Sequence, residues 1–146
     1  MSQCFELSRR VAFSETDMAG VMHFSNYFRW MEDVECAFWR SLGQGEFVYY
    51  DDGVLCWPRI SVACHYRAPL RFEQEALVRL NVAAMTGKTL RFSIEVSSAD
   101  RTCAAGSMTV VCCRLQDGEF RSLPIPDKIR ELLHPYVQSP RTESTA

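Results

Sequence analysis

The segment from Glu15 to Tyr27 contains the residues whose types and spacing best fit a chemical role. Asp17 is a carboxylate beside a mainly apolar stretch, and it stands shortly before a predicted helix. The first backbone N–H groups of a helix lack partners within it and favour negative charge. Such donors can hold a carbonyl oxygen as it becomes an oxyanion, while a carboxylate attacks the carbonyl carbon or activates water. The segment therefore has the minimum equipment for acyl transfer; the alternative is ordinary turn chemistry at Thr16 and Asp17.

The element expected to supply these donors is a helix from Asn26 to Leu42. Ser25 or Asn26 is predicted to cap its N-terminus, because either side chain can accept a hydrogen bond from the backbone. Gly43 is predicted to end it, because glycine enters the left-handed conformation freely. Apolar residues recur every three or four positions and so share one helical face, at Tyr27, Met31, Val34, Phe38 and Leu42.

Strands account for most of the remaining chain. The first is predicted to begin at about Phe5, and a short helix is predicted from Asp127 to Tyr136. Alternating or apolar patterns predict the strands between them at 54–66, with a break at Trp57-Pro58, and at 77–85, 90–96, 104–115 and 119–122. Short turns between consecutive strands imply an antiparallel sheet. One long helix packed against such a sheet is an α+β arrangement, in which we expect a curved sheet to wrap the helix.

Length and composition limit the class of protein and the number of domains. The chain has 146 residues, of which 47% are hydrophobic and 23% charged, as is usual for a globular protein. We expect a single domain at 1–137 and a disordered polar tail at 138–146. The net charge of −2 argues against a nucleic-acid partner. No apolar run approaches the roughly 20 residues that span a bilayer, so no membrane span is expected.

The cysteines and histidines indicate the compartment. Seven cysteines without a C-x-x-C spacing argue against a disulfide framework and against structural zinc. The three histidines are far apart in the sequence, so no metal site is expected. The N-terminus lacks the basic-then-apolar layout of a signal peptide. These features together predict a cytoplasmic protein.

The loop segment resembles the signature of a known family. Its matching pairs are Thr16-Asp17, Gly20-Val21 and Asn26-Tyr27, which are typical of the hotdog-fold acyl-CoA thioesterases, in the 4-hydroxybenzoyl-CoA thioesterase-like branch. The segments 65–70 and 123–126 also resemble that family, so the resemblance covers nearly the whole chain. It implies a long central helix wrapped by a five- or six-stranded antiparallel sheet. It also implies homodimers in which two sheets join, commonly paired into homotetramers.

The resemblance further implies a reaction and roles for residues. The reaction is hydrolysis of an acyl- or aroyl-CoA thioester to free acid and coenzyme A, without a metal or organic cofactor. Asp17 would be the nucleophile or the general base, and the backbone N–H of Phe24 the oxyanion donor. Asn26 and Tyr27 would secure the loop and the helix start, with core packing as the alternative for Tyr27. His23 would line the pocket or serve as a second acid or base. The residues expected to contact coenzyme A are Lys88, Thr89 and Arg91.

Several alternatives stand beside this hypothesis. Glu32 and Glu35 lie on the predicted helix, where some branches of similar folds place the catalytic base. Cys64 beside His65 would allow a thiolate mechanism, although neighbouring residues of a strand point to opposite faces. The alternative functions are a hotdog dehydratase, a thioesterase acting on acyl-carrier protein, and a non-catalytic acyl-CoA-binding module.

Overall fold

The computed structural model describes residues 2–45, 48–50 and 53–139, with the backbone alone at 48–50. The helices are α1 (Ser25–Ser41) and α2 (Asp127–Leu133), and short 3-10 turns occupy Phe13–Glu15 and His134–Tyr136. The strands are β1 (Phe5–Arg10), β2 (Val48–Tyr50), β3 (Gly53–Cys56), β4 (Arg59–Tyr66), β5 (Glu75–Met85), β6 (Thr89–Ser98), β7 (Arg101–Val111), β8 (Cys113–Gln116) and β9 (Glu119–Ser122).

A five-stranded antiparallel sheet forms the main layer, in the order β1-β5-β6-β7-β4. Alternate residues of β5 and β6 are buried, because successive side chains of a strand point to opposite faces. These residues meet the apolar face of α1 and form the core, which includes Val78, Leu80, Val82, Leu90, Phe92 and Ile94. The expected α+β arrangement of one long helix on an antiparallel sheet is therefore present.

Helix α1 buries the apolar face that the sequence predicts. Its buried residues are Tyr27, Trp30, Met31, Val34, Glu35, Phe38 and Trp39. The predicted N-cap was wrong: Phe24 occupies the cap position, with no side-chain cap hydrogen bond, and Ser25 is the first helical residue. Gly43 follows the helix with a φ of 75°, the left-handed conformation expected of its C-terminus.

The predicted strand at 104–115 is two strands in different sheets. The chain breaks at Cys112, whose N–H donates to the carbonyl of Lys88 and whose carbonyl accepts the N–H of Leu123. Beyond this break, β8 joins a second, four-stranded sheet in the order β2-β3-β8-β9. The break could not be predicted from the sequence because residues 104–115 are apolar nearly throughout. An apolar run does not indicate which strands its residues pair with.

The C-terminal helix is shorter than predicted, since the turn at His134–Tyr136 is 3-10. Gln138 still belongs to the domain, because its N–H donates to the carbonyl of Val82 at 2.8 Å. The rest of the predicted tail, from 140 onward, lies outside the described residues. Within the described ranges, no helix is long and apolar enough to cross a membrane.

Candidate functional site

Glu15 fastens the loop before α1 to the helix. One of its carboxylate oxygens accepts the backbone N–H of Ala12, and the other accepts the indole N–H of Trp30, each at 2.8 Å. Its backbone carbonyl accepts the His23 N–H and the side-chain amide of Asn26, also at 2.8 Å. The sequence analysis assigned Glu15 no role. A carboxylate with both oxygens bonded inside the protein holds the loop in one conformation.

Asp17 projects from this fixed loop with much of its carboxylate unoccupied. Its Oδ1 accepts the Ala19 N–H at 2.8 Å, and its backbone N–H and carbonyl bond to Val21 and Gly20. Gly20 closes the turn with a φ of 77°, which a glycine adopts without strain. Across the described residues, no donor binds Oδ2. An exposed carboxylate oxygen on a rigid turn can meet a ligand.

The Phe24 N–H points away from the helix that it begins. The carbonyl of the same peptide, on His23, accepts the Asn26 N–H at 3.0 Å. Because a trans peptide directs its N–H and carbonyl to opposite sides, the Phe24 N–H faces outward. It meets no acceptor in the parts of the chain that the structure describes. This donor at a helix N-terminus has the character of an oxyanion donor.

Asp17 lies between two clefts of different character. A cleft of about 380 Å³ is mainly apolar, and its wall includes Asp17, Phe24, Tyr27 and Tyr66. A more polar cleft of about 830 Å³ contains Asp17 together with His23, Ser25, Asn26 and Arg29. The first cleft brings Asp17 and Phe24 together with apolar walls that could hold an acyl group.

His23 is engaged with the start of the helix. Its Nδ1 lies 2.8 Å from the Ser25 hydroxyl and accepts the Ser25 N–H at 3.3 Å. Accepting a backbone N–H leaves the proton of a neutral imidazole on Nε2. His23 stands in the polar cleft, and no carboxylate is bonded to its ring among the described residues.

Comparison with known proteins identifies the family of the chain. Residues 11–133 match the model of the thioesterase-like superfamily. The chain belongs to the thioesterase-like superfamily. A 1,4-dihydroxy-2-naphthoyl-CoA hydrolase from Synechococcus is 30% identical over 131 residues, with 81% of this chain and 88% of that protein covered.

Solved structures agree on the fold. A hypothetical protein from Aquifex aeolicus is 31% identical with a TM-score of 0.76, and the match covers 88% of this chain and 98% of that one. The dynemicin thioesterase has a TM-score of 0.84 at 20% identity, with 94% and 100% of the two chains covered. The hotdog fold and the predicted enzyme class, a thioester hydrolase, are thereby confirmed.

The residues expected to contact coenzyme A lie at the other end of this thioesterase protomer. Lys88 is in the β5–β6 turn, and Thr89 and Arg91 begin β6. The Asp17 loop adjoins the start of β5, where Glu75 pairs with Arg10. Because β5 has 11 residues at about 3.3 Å each, roughly 30 Å separates the two places. A single chain does not bring them together, and their role stays a prediction.

The helix carboxylates form a separate cluster. Glu35 is 2% exposed, and it accepts hydrogen bonds from the Arg59 guanidinium at 2.6 Å and the Trp39 indole at 3.2 Å. Burial raises the pKa of Glu35, against the lowering effect of Arg59. Glu32 lies 3.5 Å from the same guanidinium. This cluster anchors the first residue of β4 to α1, and the sequence analysis gave no sign of Arg59 as its centre.

The cysteines lack the features of a nucleophile. Burial raises the thiol pKa of Cys64, and it raises that of Cys112 to about 12. A thiolate mechanism needs the opposite shift. Among the described residues, no cluster of three His, Cys, Asp or Glu side chains could hold a metal ion.

Proposed function

We propose that this thioesterase hydrolyses an acyl- or aroyl-CoA thioester to the free acid and coenzyme A. The observation that carries the proposal is that Asp17 and Phe24 line one apolar cleft, and that the Phe24 N–H has no acceptor among the described residues. The Synechococcus relative, named a naphthoyl-CoA hydrolase, supports an aroyl-CoA as one candidate substrate. The cytoplasm remains the expected compartment.

Two routes use the same groups. As a general base, Asp17 removes a proton from water, whose oxygen bonds to the carbonyl carbon. As a nucleophile, it bonds to that carbon itself and forms an anhydride, which water then cleaves. In both routes the Phe24 N–H holds the developing oxyanion, the C–S bond breaks, and the departing thiolate takes up a proton. We propose that no cofactor is needed, because a thioester carbonyl is already activated.

We also propose a homodimer joined through β4. This strand ends the five-stranded sheet, and its residues are exposed nearly throughout, with Ile60 at 61% and Val62 at 39%. An unpaired apolar edge strand invites pairing with another strand. Antiparallel pairing across a two-fold axis would give the continuous sheet that the family resemblance implies.

Such a dimer would bring the predicted coenzyme A contacts of one subunit close to Asp17 of the other. A two-fold axis reverses the strands, so the Tyr66 end of one β4 lies beside the Arg59 end of the other. Arg59 pairs with Val110 near the end of β7, which is also the end where β6 begins. The partner subunit's Lys88 and the partner subunit's Thr89 would then share an end of the joined sheet with Asp17. Coenzyme A bound there would contact both subunits.

The first experiment compares the wild type with Asp17→Asn on a panel of acyl- and aroyl-CoAs. Loss of thioester ultraviolet absorbance is the readout, because seven cysteines would react with a thiol reagent. We expect kcat to fall at least ~10²-fold with the fold unchanged. Equal activity of both proteins would remove Asp17 from the mechanism. Binding without turnover by the wild type would favour the non-catalytic module instead.

Two extensions refine the proposal. A single turnover in isotopically labelled water distinguishes the routes: a general base sends the label to the product acid, whereas an anhydride cleaved at its aspartyl carbonyl leaves it in Asp17. The same acyl group presented on an acyl-carrier protein tests the alternative donor. Faster turnover of the carrier-bound thioester would mean that the substrate is an acyl-carrier-protein thioester and not a coenzyme A thioester.

A further inference from the structure

Tyr66 connects the edge strand to the residue that begins α1. It is the last residue of β4, and its hydroxyl donates to the Phe24 carbonyl at 3.0 Å. Its ring meets Tyr27 edge to face, with centroids 5.1 Å apart. The side chain also forms part of the apolar cleft wall. One side chain thus joins three features of the site: the cleft, the strand edge and the helix start.

Phe24 depends on such outside contacts for its position. It occupies the N-cap, where a side-chain oxygen normally accepts a backbone N–H, but phenylalanine has no such oxygen. Its φ of −54° and ψ of −31° are helical, whereas a cap residue is usually extended. Phe24 is 60% exposed, so packing holds the residue only in part. The Asn26 bond fixes the peptide before Phe24. The Phe24 carbonyl, in the peptide after it, accepts the Tyr66 hydroxyl at 3.0 Å and the Tyr27 N–H at the longer distance of 3.4 Å.

We propose that Tyr66 is a positioning residue for the oxyanion donor: its hydroxyl, bonded to the Phe24 carbonyl, holds the Phe24 backbone so that the N–H faces the reacting carbonyl. This inference rests on the proposed hydrolysis. Burial raises the pKa of Tyr66, so the hydroxyl keeps its proton and remains a donor at neutral pH. Since a displacement of about 1 Å in a reactive group can cost ~10²-fold in rate, a small shift of Phe24 would be measurable.

The first test removes the hydroxyl alone. Tyr66→Phe keeps the ring, the cleft wall and the contact with Tyr27. We expect kcat to fall ~10-fold or more while KM stays within about two-fold, because the oxyanion forms only in the transition state. Tyr136→Phe is the matched control, since Tyr136 packs on Phe38 in the core and is not a cleft residue. A rise in KM at unchanged kcat would overturn the proposal and make Tyr66 a substrate-binding group.

The second test reads the donor directly. An acyl-CoA with an isotopically labelled carbonyl is bound to Asp17→Asn, and the infrared carbonyl band is compared with that of Asp17→Asn/Tyr66→Phe. A donor on the carbonyl oxygen lowers the stretching frequency, so we expect the band to return toward its free position in the double variant. Equal lowering in both proteins would overturn the role of Tyr66 alone. A band at the free position in Asp17→Asn would instead count against the oxyanion donor and the proposed function.

Discussion

Two carboxylates within one short loop have different tasks because their hydrogen bonds differ. Both Glu15 oxygens are bonded inside the protein, to Ala12 and Trp30. Only one Asp17 oxygen takes a loop bond, from Ala19. The Glu15 carboxylate therefore stabilises the loop, whereas Asp17 keeps one carboxylate oxygen available to a substrate. Residue type alone does not separate the two; the bonding does.

Replacing Glu15 tests this division. In Glu15→Gln, one oxygen becomes an amide NH2 that faces the N–H of Ala12 or of Trp30. We expect the free energy of unfolding to fall by about 1–3 kcal/mol, the range of a hydrogen bond to a charged group, because one of the two N–H groups loses its carboxylate acceptor. Urea unfolding measures it. Asp17→Asn is the comparison: its amide oxygen can still accept the Ala19 N–H, so stability should change by less than about 0.5 kcal/mol while activity is lost. Equal stabilities for both variants would contradict the assignment.

The buried Glu35 predicts a pH effect on stability. Burial raises its pKa above the usual 4.5, so the folded protein binds this proton more tightly than the unfolded chain does. Its contribution to stability is therefore complete below pH 4.5 and is lost as the pH rises through the higher folded pKa. We expect the Tm of the wild type to fall relative to that of Glu35→Gln as the pH rises above 4.5. A difference that runs the other way would mean that Arg59 outweighs burial.

At the scale of elements, the close approach of α1 to the sheet depends on Gly106. This residue lies in β7, between Cys64 of β4 and Ile94 of β6. A Cβ there would come within 2.8 Å of the Met31 methyl and 2.9 Å of the Ala63 carbonyl oxygen. The methyl can move, but a backbone carbonyl in a sheet cannot. Because Gly106 has no side chain, α1 can pack closely on the sheet. This packing contributes to the position of the N-terminus of α1.

Gly106→Ala is therefore expected to be destabilising. The added methyl should lower the free energy of unfolding by about 1–3 kcal/mol, as overpacking of a core does. Gly87→Ala serves as the control, because a Cβ at Gly87 meets nothing within 4 Å. Its effect should stay within about 0.5 kcal/mol. Denaturant unfolding measures the free energy of unfolding of the two variants. Equal losses in the two variants would contradict a close approach at Gly106.

At the scale of the whole molecule, assembly through β4 can be tested with two matched substitutions. Ile60 on β4 and Phe120 on β9 are each 61% exposed. A lysine on an edge strand opposes pairing, so Ile60→Lys should shift the protein to monomers and lower its activity with it. Phe120→Lys should leave the dimer intact. Light scattering after size-exclusion chromatography measures the mass. A dimer that survives Ile60→Lys but not Phe120→Lys would move the interface to the second sheet.

Much of the architecture follows from the sequence by itself. The helical spacing from Tyr27 to Leu42, the left-handed glycine after it and the alternating strands around the 86–88 turn are local signals. They indicate elements correctly because spacing and turn chemistry act between near neighbours in the chain. The loop motif likewise indicated the family, and its position before a helix predicts a role in acyl transfer. Asp17 could be identified as a candidate from its position in the sequence alone.

The tertiary structure decided what depends on contacts between distant residues. It replaced the predicted cap with Phe24, divided the 104–115 strand between two sheets, and separated Lys88 from Asp17 by the length of β5. It also paired Glu15 with Trp30 and Tyr66 with the Phe24 carbonyl. Hydrogen bonds of this kind join segments whose relative positions are set by packing of the whole chain. Local patterns therefore indicate which residues carry chemistry, and packing determines which of them meet.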